Sequence, residues 1–125
     1  MTHFAARCML AAGLATAFVS WTSMANADDS YGAIAYSEST GNWGSSRGYD
    51  SRSSAEHEAL RQCGENDCDA VSWFRNECGA LATGDDNGWG AASGDNRREA
   101  ERQAISTCMD AADNCKLATS ECSVN

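Results

Sequence analysis

The sequence predicts an α+β fold of two tandem β-β-α-β repeats, with helices packed on one face of a mainly antiparallel sheet and disulfides stapling the whole. Three observations carry this. From about residue 28 onward the chain is one motif written twice, each copy passes from strand-like to helix-like periodicity, and six cysteines recur at related places in the two copies.

Gly32-Ala33-Ile34-Ala35 returns as Gly79-Ala80-Leu81-Ala82, 47 positions later. Trp43-Gly44 returns as Trp89-Gly90, and Asp50-Ser51-Arg52 as Asp95-Asn96-Arg97. Ala55, Glu56, Ala59, Leu60 and Cys63 return as Ala100, Glu101, Ala104, Ile105 and Cys108 at a spacing of 45. Drift of one or two residues in the spacing is what loop insertions produce. The repeats are expected at about 31–77 and 78–123 of a single domain spanning 28–125.

In each copy the first element is a short alternating run, YGAIAYS or GALAT, which reads as a strand. A glycine-rich stretch with the Trp-Gly pair follows and is expected to be a loop entering a short second strand. Ser51 and Asn96 are N-cap residues, and Glu99 stands three positions after Asn96 in capping-box spacing. Helices are therefore predicted over about 52–63 and 97–108. Ala55, Ala59, Leu60 and Cys63 share one helical face, and its small alanines permit close approach to a sheet. AVSWF and KLATS read as the third strands. Asn76-Glu77-Cys78-Gly79 suits a tight reversal between the copies.

Residues 1–27 contain no acidic residue and run from Arg7 through CMLAAGLATAFVSW to Ala25-Asn26-Ala27. This is the basic start, apolar core and small-x-small cleavage site of a secretory signal peptide, too short to span a bilayer. Cleavage leaves a domain of a size that folds with a thin core, so covalent support is expected. It carries eight basic and eighteen acidic residues, a net charge of −10. Nucleic acid and anionic membranes are disfavoured as partners, because both reward clustered Lys and Arg. A secreted or periplasmic monomer without membrane insertion is expected.

Cys8 leaves with the leader, so six cysteines enter an oxidising compartment. Zinc ligands come as closely spaced Cys pairs with His, whereas the spacings here are wider and the only remaining histidine is His57. No metal or cofactor is expected. Six cysteines allow fifteen pairings; the repeat favours a symmetric one, Cys63 with Cys68, Cys108 with Cys115, and Cys78 with Cys122. The first two tie a helix end to the next strand, and the third is expected to join the halves.

YGAIAYS, AEHEALRQCG with a cysteine shortly after, AVSWF and CGALA together resemble the exported bacterial family catalogued as domain of unknown function 4189. The resemblance covers Tyr31 to Cys122. It implies a small secreted or periplasmic disulfide-bonded domain and brings no catalytic residues.

The candidate functional residues are few. His57 lies about 200° around its helix from Ala55, on the solvent side, and its counterpart is Arg102. Glu56 and Glu101 recur at the inward edge of each helix, about 100° from the alanine face. Brought together they could do acid and base work as in glycosidases; held apart they fix helix to neighbouring chain, with Arg52 and Arg97 as partners. Trp43 and Trp89 could stack on sugar rings or anchor a protein, or could close the ends of a small core. Gly84-Asp85-Asp86-Asn87-Gly88 fails the calcium-loop pattern, because Trp89 takes a ligand position and the terminal Glu is missing. No phosphate loop or nucleophile elbow is present. The expected function is a non-enzymatic exported interaction module for a protein or envelope component. The alternative is a small hydrolase of cell-wall glycan using Glu56 and Glu101.

Overall fold

The computed structural model describes residues 29–124, so the leader expected at 1–27 lies outside the described residues. The elements run β1 (Tyr31–Tyr36), β2 (Trp43–Tyr49), α1 (Arg52–Cys63), β3 (Asp69–Arg75), β4 (Cys78–Thr83), β5 (Trp89–Gly94), α2 (Arg97–Met109) and β6 (Lys116–Cys122). A single turn of 3-10 helix, Asp85–Asn87, precedes β5. The chain is thus two similar β-β-α-β units, each an antiparallel three-stranded sheet with one helix.

The helices begin where their caps dictate. The Ser51 side chain accepts from the Ser54 amide, and the Asn96 side chain from the Glu99 amide. Each such cap stabilises its helix by about 1 kcal/mol. Gly64 ends α1 in the left-handed conformation at φ 74°, where its amide reaches the Leu60 carbonyl.

Within each unit the helix covers one face of its sheet. Ala55, Ala59 and Cys63 pack on Ala33 and Ala35, while Ala100, Ala104 and Cys108 pack on Ala80 and Ala82. The approach is so close that only glycine fits opposite it. A Cβ on Gly44 would lie 2.2 Å from the Ala59 carbonyl oxygen, and one on Gly90 2.2 Å from the Cys108 nitrogen. This explains the repeated Trp-Gly pair, which opens β2 and β5 as strand residues instead of lying in a loop. Leu60, expected on the buried face, is 36 % exposed, whereas its counterpart Ile105 packs half-buried against the core of the second unit.

The two units do not share one sheet. The strand orders are β2-β1-β3 and β5-β4-β6, and the sheets stack so that β1 lies over β4, β2 across from β6, and β3 across from β5. The cause lies on the helix-free faces, where Ile34, Tyr36, Phe74 and Leu81 form a buried cluster that needs cover from both sides. The result has four layers, with a helix on each outer face. Asn76-Glu77 accordingly makes no hairpin. Asn76, at φ 55°, turns the chain from the edge of one sheet into the centre of the other.

The bridges are Cys63–Cys68, Cys108–Cys115 and Cys78–Cys122. The first two tie a helix end to its following strand. The third does not join the halves, because Cys78 opens β4 and faces Cys122 at the end of β6, both in the second sheet. The positions corresponding to it in the first sheet are Tyr31 and Arg75, which are also cross-strand partners. Four of the six cysteines therefore recur between the units, and Cys78 and Cys122 have no cysteine counterpart in the first.

The segments that flank the two units, before β1 and after β6, meet at the crossover. Ser30 and Ser123 share a hydrogen bond of 2.5 Å, both nearly buried, and the Gly48 amide donates to the Ser123 hydroxyl at 3.0 Å. Ser30 and Asn76 exchange two further bonds at 2.9 Å.

Candidate functional site

Register fixes which residues correspond in the two units. Position by position, Tyr36 answers to Thr83, Phe74 to Glu121, Trp73 to Ser120, Ser45 to Ala91 and Arg47 to Ser93. The sandwich has two open sides, one where β5 crosses β3 and one where β2 crosses β6, and these substitutions give them different chemistry.

The β5/β3 side is closed by aromatic rings. Phe74 lies between the two sheets, its ring so close to Gly32 and Gly79 that a Cβ on either would fall 2.3–2.4 Å from it. Tyr36 packs on Trp89 with ring centroids 5.9 Å apart and gives its hydroxyl to the Asn87 carbonyl. The Trp89 indole N–H donates to Glu38 at 2.7 Å. Burial pushes the Tyr36 phenol above its ordinary pKa, with the Glu38 charge adding to the effect. Trp89 thus closes the end of the core.

The β2/β6 side is polar and open. Trp43, the counterpart of Trp89, is 39 % exposed. Glu121 stands where Phe74 stands on the other side; it accepts a hydrogen bond from Ser45 at 3.2 Å and lies 3.9 Å from the Arg47 guanidinium. A cleft of about 320 Å³ opens there, lined by Ser45, Arg47, Tyr49, Glu58, Gln62 and Glu121 among others. Arg61, donating to Glu58, and then Gln62 hold that carboxyl at a pKa of about 2.

A third feature was not legible as a site in the sequence. Trp73, on edge strand β3, is 41 % exposed and turned to the α1 side. Its ring stacks on Tyr31 at 6.4 Å between centroids, and the Arg52 guanidinium stands 4.5 Å over it. Arg75, paired with Asp29 at 3.7 Å, continues the patch toward a depression of about 590 Å³ that Trp73 and Arg75 form with Glu77 and Ser93. The Tyr31 hydroxyl, and after it the Asp29 charge, keep Arg75 above its ordinary pKa. The signal available in the sequence was the Trp-Phe neighbour pair, since adjacent residues in a strand point to opposite faces and only one ring can enter the core.

The repeated carboxylates do not come together. Glu56 accepts from Arg52 at 3.1 Å on α1, and Glu101 accepts from Ser120 at 2.6 Å on α2. The helices lie on opposite outer faces with both sheets between them, so the geometry of a glycosidase pair is missing. Each carboxylate belongs to a clamp. Arg52 reaches the Trp73 ring, and Arg97 reaches the Ser120 carbonyl and hydroxyl at 2.7 and 2.6 Å, both at the corresponding position of the third strand. His57 is exposed on α1, as its helical phase predicts. Asp85 and Asp86 are exposed in the 3-10 turn, and among the described residues no group of three metal-ligating side chains occurs.

The disulfides suit an oxidising, extracytoplasmic setting, and among the described residues no helix is long and apolar enough to cross a membrane. Protein Rv1269c of Mycobacterium tuberculosis and Protein Mb1300c of Mycobacterium bovis are each 49 % identical to the chain over 61 residues. That match spans about half the length of those relatives, 48 %, and 49 % of this chain. The NMR structure of Rv1813c from Mycobacterium tuberculosis shares the fold with a TM-score of 0.57 and 30 % identity, covering 74 % of each chain. The model of the family described as a domain of unknown function, DUF4189, matches residues 31–122, nearly the whole span of the two units, and the chain belongs to that family.

Proposed function

We propose that this chain is a small secreted or periplasmic interaction module, monomeric and without enzymatic activity, that binds a protein or other envelope component through the Trp73 face of its first unit. The observation that carries this is the Trp73, Tyr31, Arg52 and Arg75 patch. Trp, Tyr and Arg are the residues that most often dominate binding energy at protein interfaces, because they bring large contact area with few rotors to freeze. Arg52 keeps the indole in place by a cation–π contact and Tyr31 supports it from beneath, so the ring is held before a partner arrives. The net charge of −10 on residues 28–125 favours a neutral or cationic partner over nucleic acid or anionic membrane.

Affinity capture from envelope extract with the oxidised protein tests the reading. A partner is expected that is retained by the wild type and lost at least tenfold with Trp73→Ala, the fold being unchanged by amide NMR. Equal retention by Trp73→Ala would remove the face from consideration. A peptidoglycan zymogram is expected to stay uncleared; a cleared band lost in Glu56→Gln or Glu101→Gln would restore the hydrolase.

A further inference from the structure

We propose that the cleft on the β2/β6 side is a binding subsite for a neutral saccharide. This site lies on a different side of the sandwich from Trp73 and does not depend on the protein-binding reading.

The first part of the argument is that the fold does not require the opening. The same strands, related by the repeat, close the β5/β3 side with Phe74, Tyr36 and Trp89. On the β2/β6 side the corresponding positions hold Glu121, Thr83 and Trp43. An apolar closure was available to this backbone, and polar groups stand in its place; the depression of about 590 Å³ on the β5/β3 side lies outside that closure, lined by none of its three rings.

The second part is the lining. It holds donors and acceptors side by side: the Arg47 guanidinium, two-thirds exposed and 3.9 Å from one Glu121 oxygen, the other Glu121 oxygen with the Ser45 hydroxyl on it, and the Tyr49 and Gln62 side chains. An anion entering here meets the carboxylates of Glu58 and Glu121. A simple cation meets Arg47, with Arg61 behind Glu58. An apolar ligand would leave all these groups desolvated without partners. A ring of hydroxyl groups satisfies donors and acceptors together, adds no net charge, and offers an apolar face to an aromatic side chain. One such side chain is at hand: Tyr49 lines the cleft, packed on its other side against the α1 core, while Trp43, 39 % exposed, stands further along β2 and outside the lining. At about 320 Å³ the cleft is of a size for one or two pyranose units.

The test is an amide-resolved NMR titration of the oxidised protein with maltotetraose, cellotetraose and chitotetraose, and with glycine and sodium acetate as zwitterionic and anionic comparisons. At least one saccharide is expected to shift Ser45–Tyr49, Gln62 and Glu121 and no other cluster. Arg47→Ala, which removes an exposed side chain without touching the core, is expected to weaken that binding about tenfold, the worth of one charge-assisted hydrogen bond. Glu121→Gln is expected to weaken it while leaving the remaining spectrum in place. Saccharide-induced shifts centred on Trp73, stronger shifts from glycine or acetate at the cleft, or no saccharide response at all would each overturn the assignment.

Discussion

The two units share a topology and differ in how each is finished. In the second, the ends of β4 and β6 are locked by Cys78–Cys122. In the first, the same cross-strand position holds Tyr31 opposite Arg75, and closure there is non-covalent: Tyr31 on Trp73, Arg52 over Trp73, Asp29 on Arg75. The central interface shows the same division, with Phe74 from the first unit at the place where the second offers Glu121. Duplication supplies the scaffold, and the departures from symmetry supply the exposed chemistry. The fold-determining residues, the alanine faces and the Gly44 and Gly90 contacts, are the ones that repeat.

The largest expected effect comes from Phe74, because both sheets rest on it. Phe74→Ala should destabilise the protein by about 3–5 kcal/mol, measured by urea unfolding of the oxidised form, since Gly32 and Gly79 have no side chains with which to fill the cavity. The comparison is sharpened by Glu121→Ala at the corresponding position, which removes a partly exposed group and should cost under about 1 kcal/mol. Equal losses would mean that the two sides of the sandwich are energetically alike.

Next in size is the second unit's own bridge. Replacing both Cys78 and Cys122 by Ala should cost about 2–4 kcal/mol through the loop of 44 residues that it closes. Hydrogen exchange should quicken at the Cys78 and Cys122 ends of β4 and β6 and leave the Tyr31 and Arg75 ends of β1 and β3 unchanged. Tyr31→Ala should show the reverse pattern at a smaller cost, about 1 kcal/mol. Exchange that quickens in both units in either variant would show that the ends are coupled through Ser30, Ser123 and Asn76.

Much of this was legible because repeats report the constraints that both copies must meet. The caps at Ser51 and Asn96, the alanine faces, the three strands per unit and the bridges Cys63–Cys68 and Cys108–Cys115 all follow from residues that occur twice. What escaped the sequence depended on relations between copies. Separate sheets follow from the apolar cover that Ile34, Tyr36, Phe74 and Leu81 demand on the helix-free faces, which strand periodicity cannot distinguish from a single wide sheet. The Cys78–Cys122 bridge does not join the halves because both cysteines belong to the second unit, and the matching places of the first hold Tyr31 and Arg75. Trp43 and Trp89 are identical in sequence and unlike in setting, since the Tyr36 ring that packs on Trp89 comes from the other unit. Trp73 was hidden for the opposite reason, having only Ser120 as its counterpart and so no repeat to draw attention to it.

The smallest expected effect concerns acid, and it divides the units again. Glu58 in α1 accepts from Arg61 and Gln62, and Asp67 accepts from the Ser37 hydroxyl and the Ser39 amide, tying the loop before β3 to the loop before β2. Both carboxyls are held below their ordinary pKa by those hydrogen bonds, Glu58 at about 2. The corresponding residues of the second unit are the amides Gln103 and Asn114, which do not titrate and which bond Glu99 and Asp85. A carboxyl whose folded pKa is depressed stabilises the fold above its unfolded pKa and ceases to do so as pH falls through the folded value. The Glu58 joint should therefore weaken between about pH 4.5 and about pH 2, and the Asp67 joint as pH falls below the ordinary aspartate range. Asp67 and the Arg61 partner of Glu58 are solvent-exposed, so the change should register as local loosening and not as global unfolding. In a carboxyl-resolved NMR titration, the Glu58 midpoint should fall near 2, and the amides of the last turn of α1 and of Ser37–Asn42 should shift with these carboxyls. Glu58→Gln should abolish the α1 part of that response and leave the Asp67 part intact. An ordinary glutamate midpoint for Glu58 would mean that the Arg61 contact does not persist in solution, and this difference between the units would then rest on Asp67 alone.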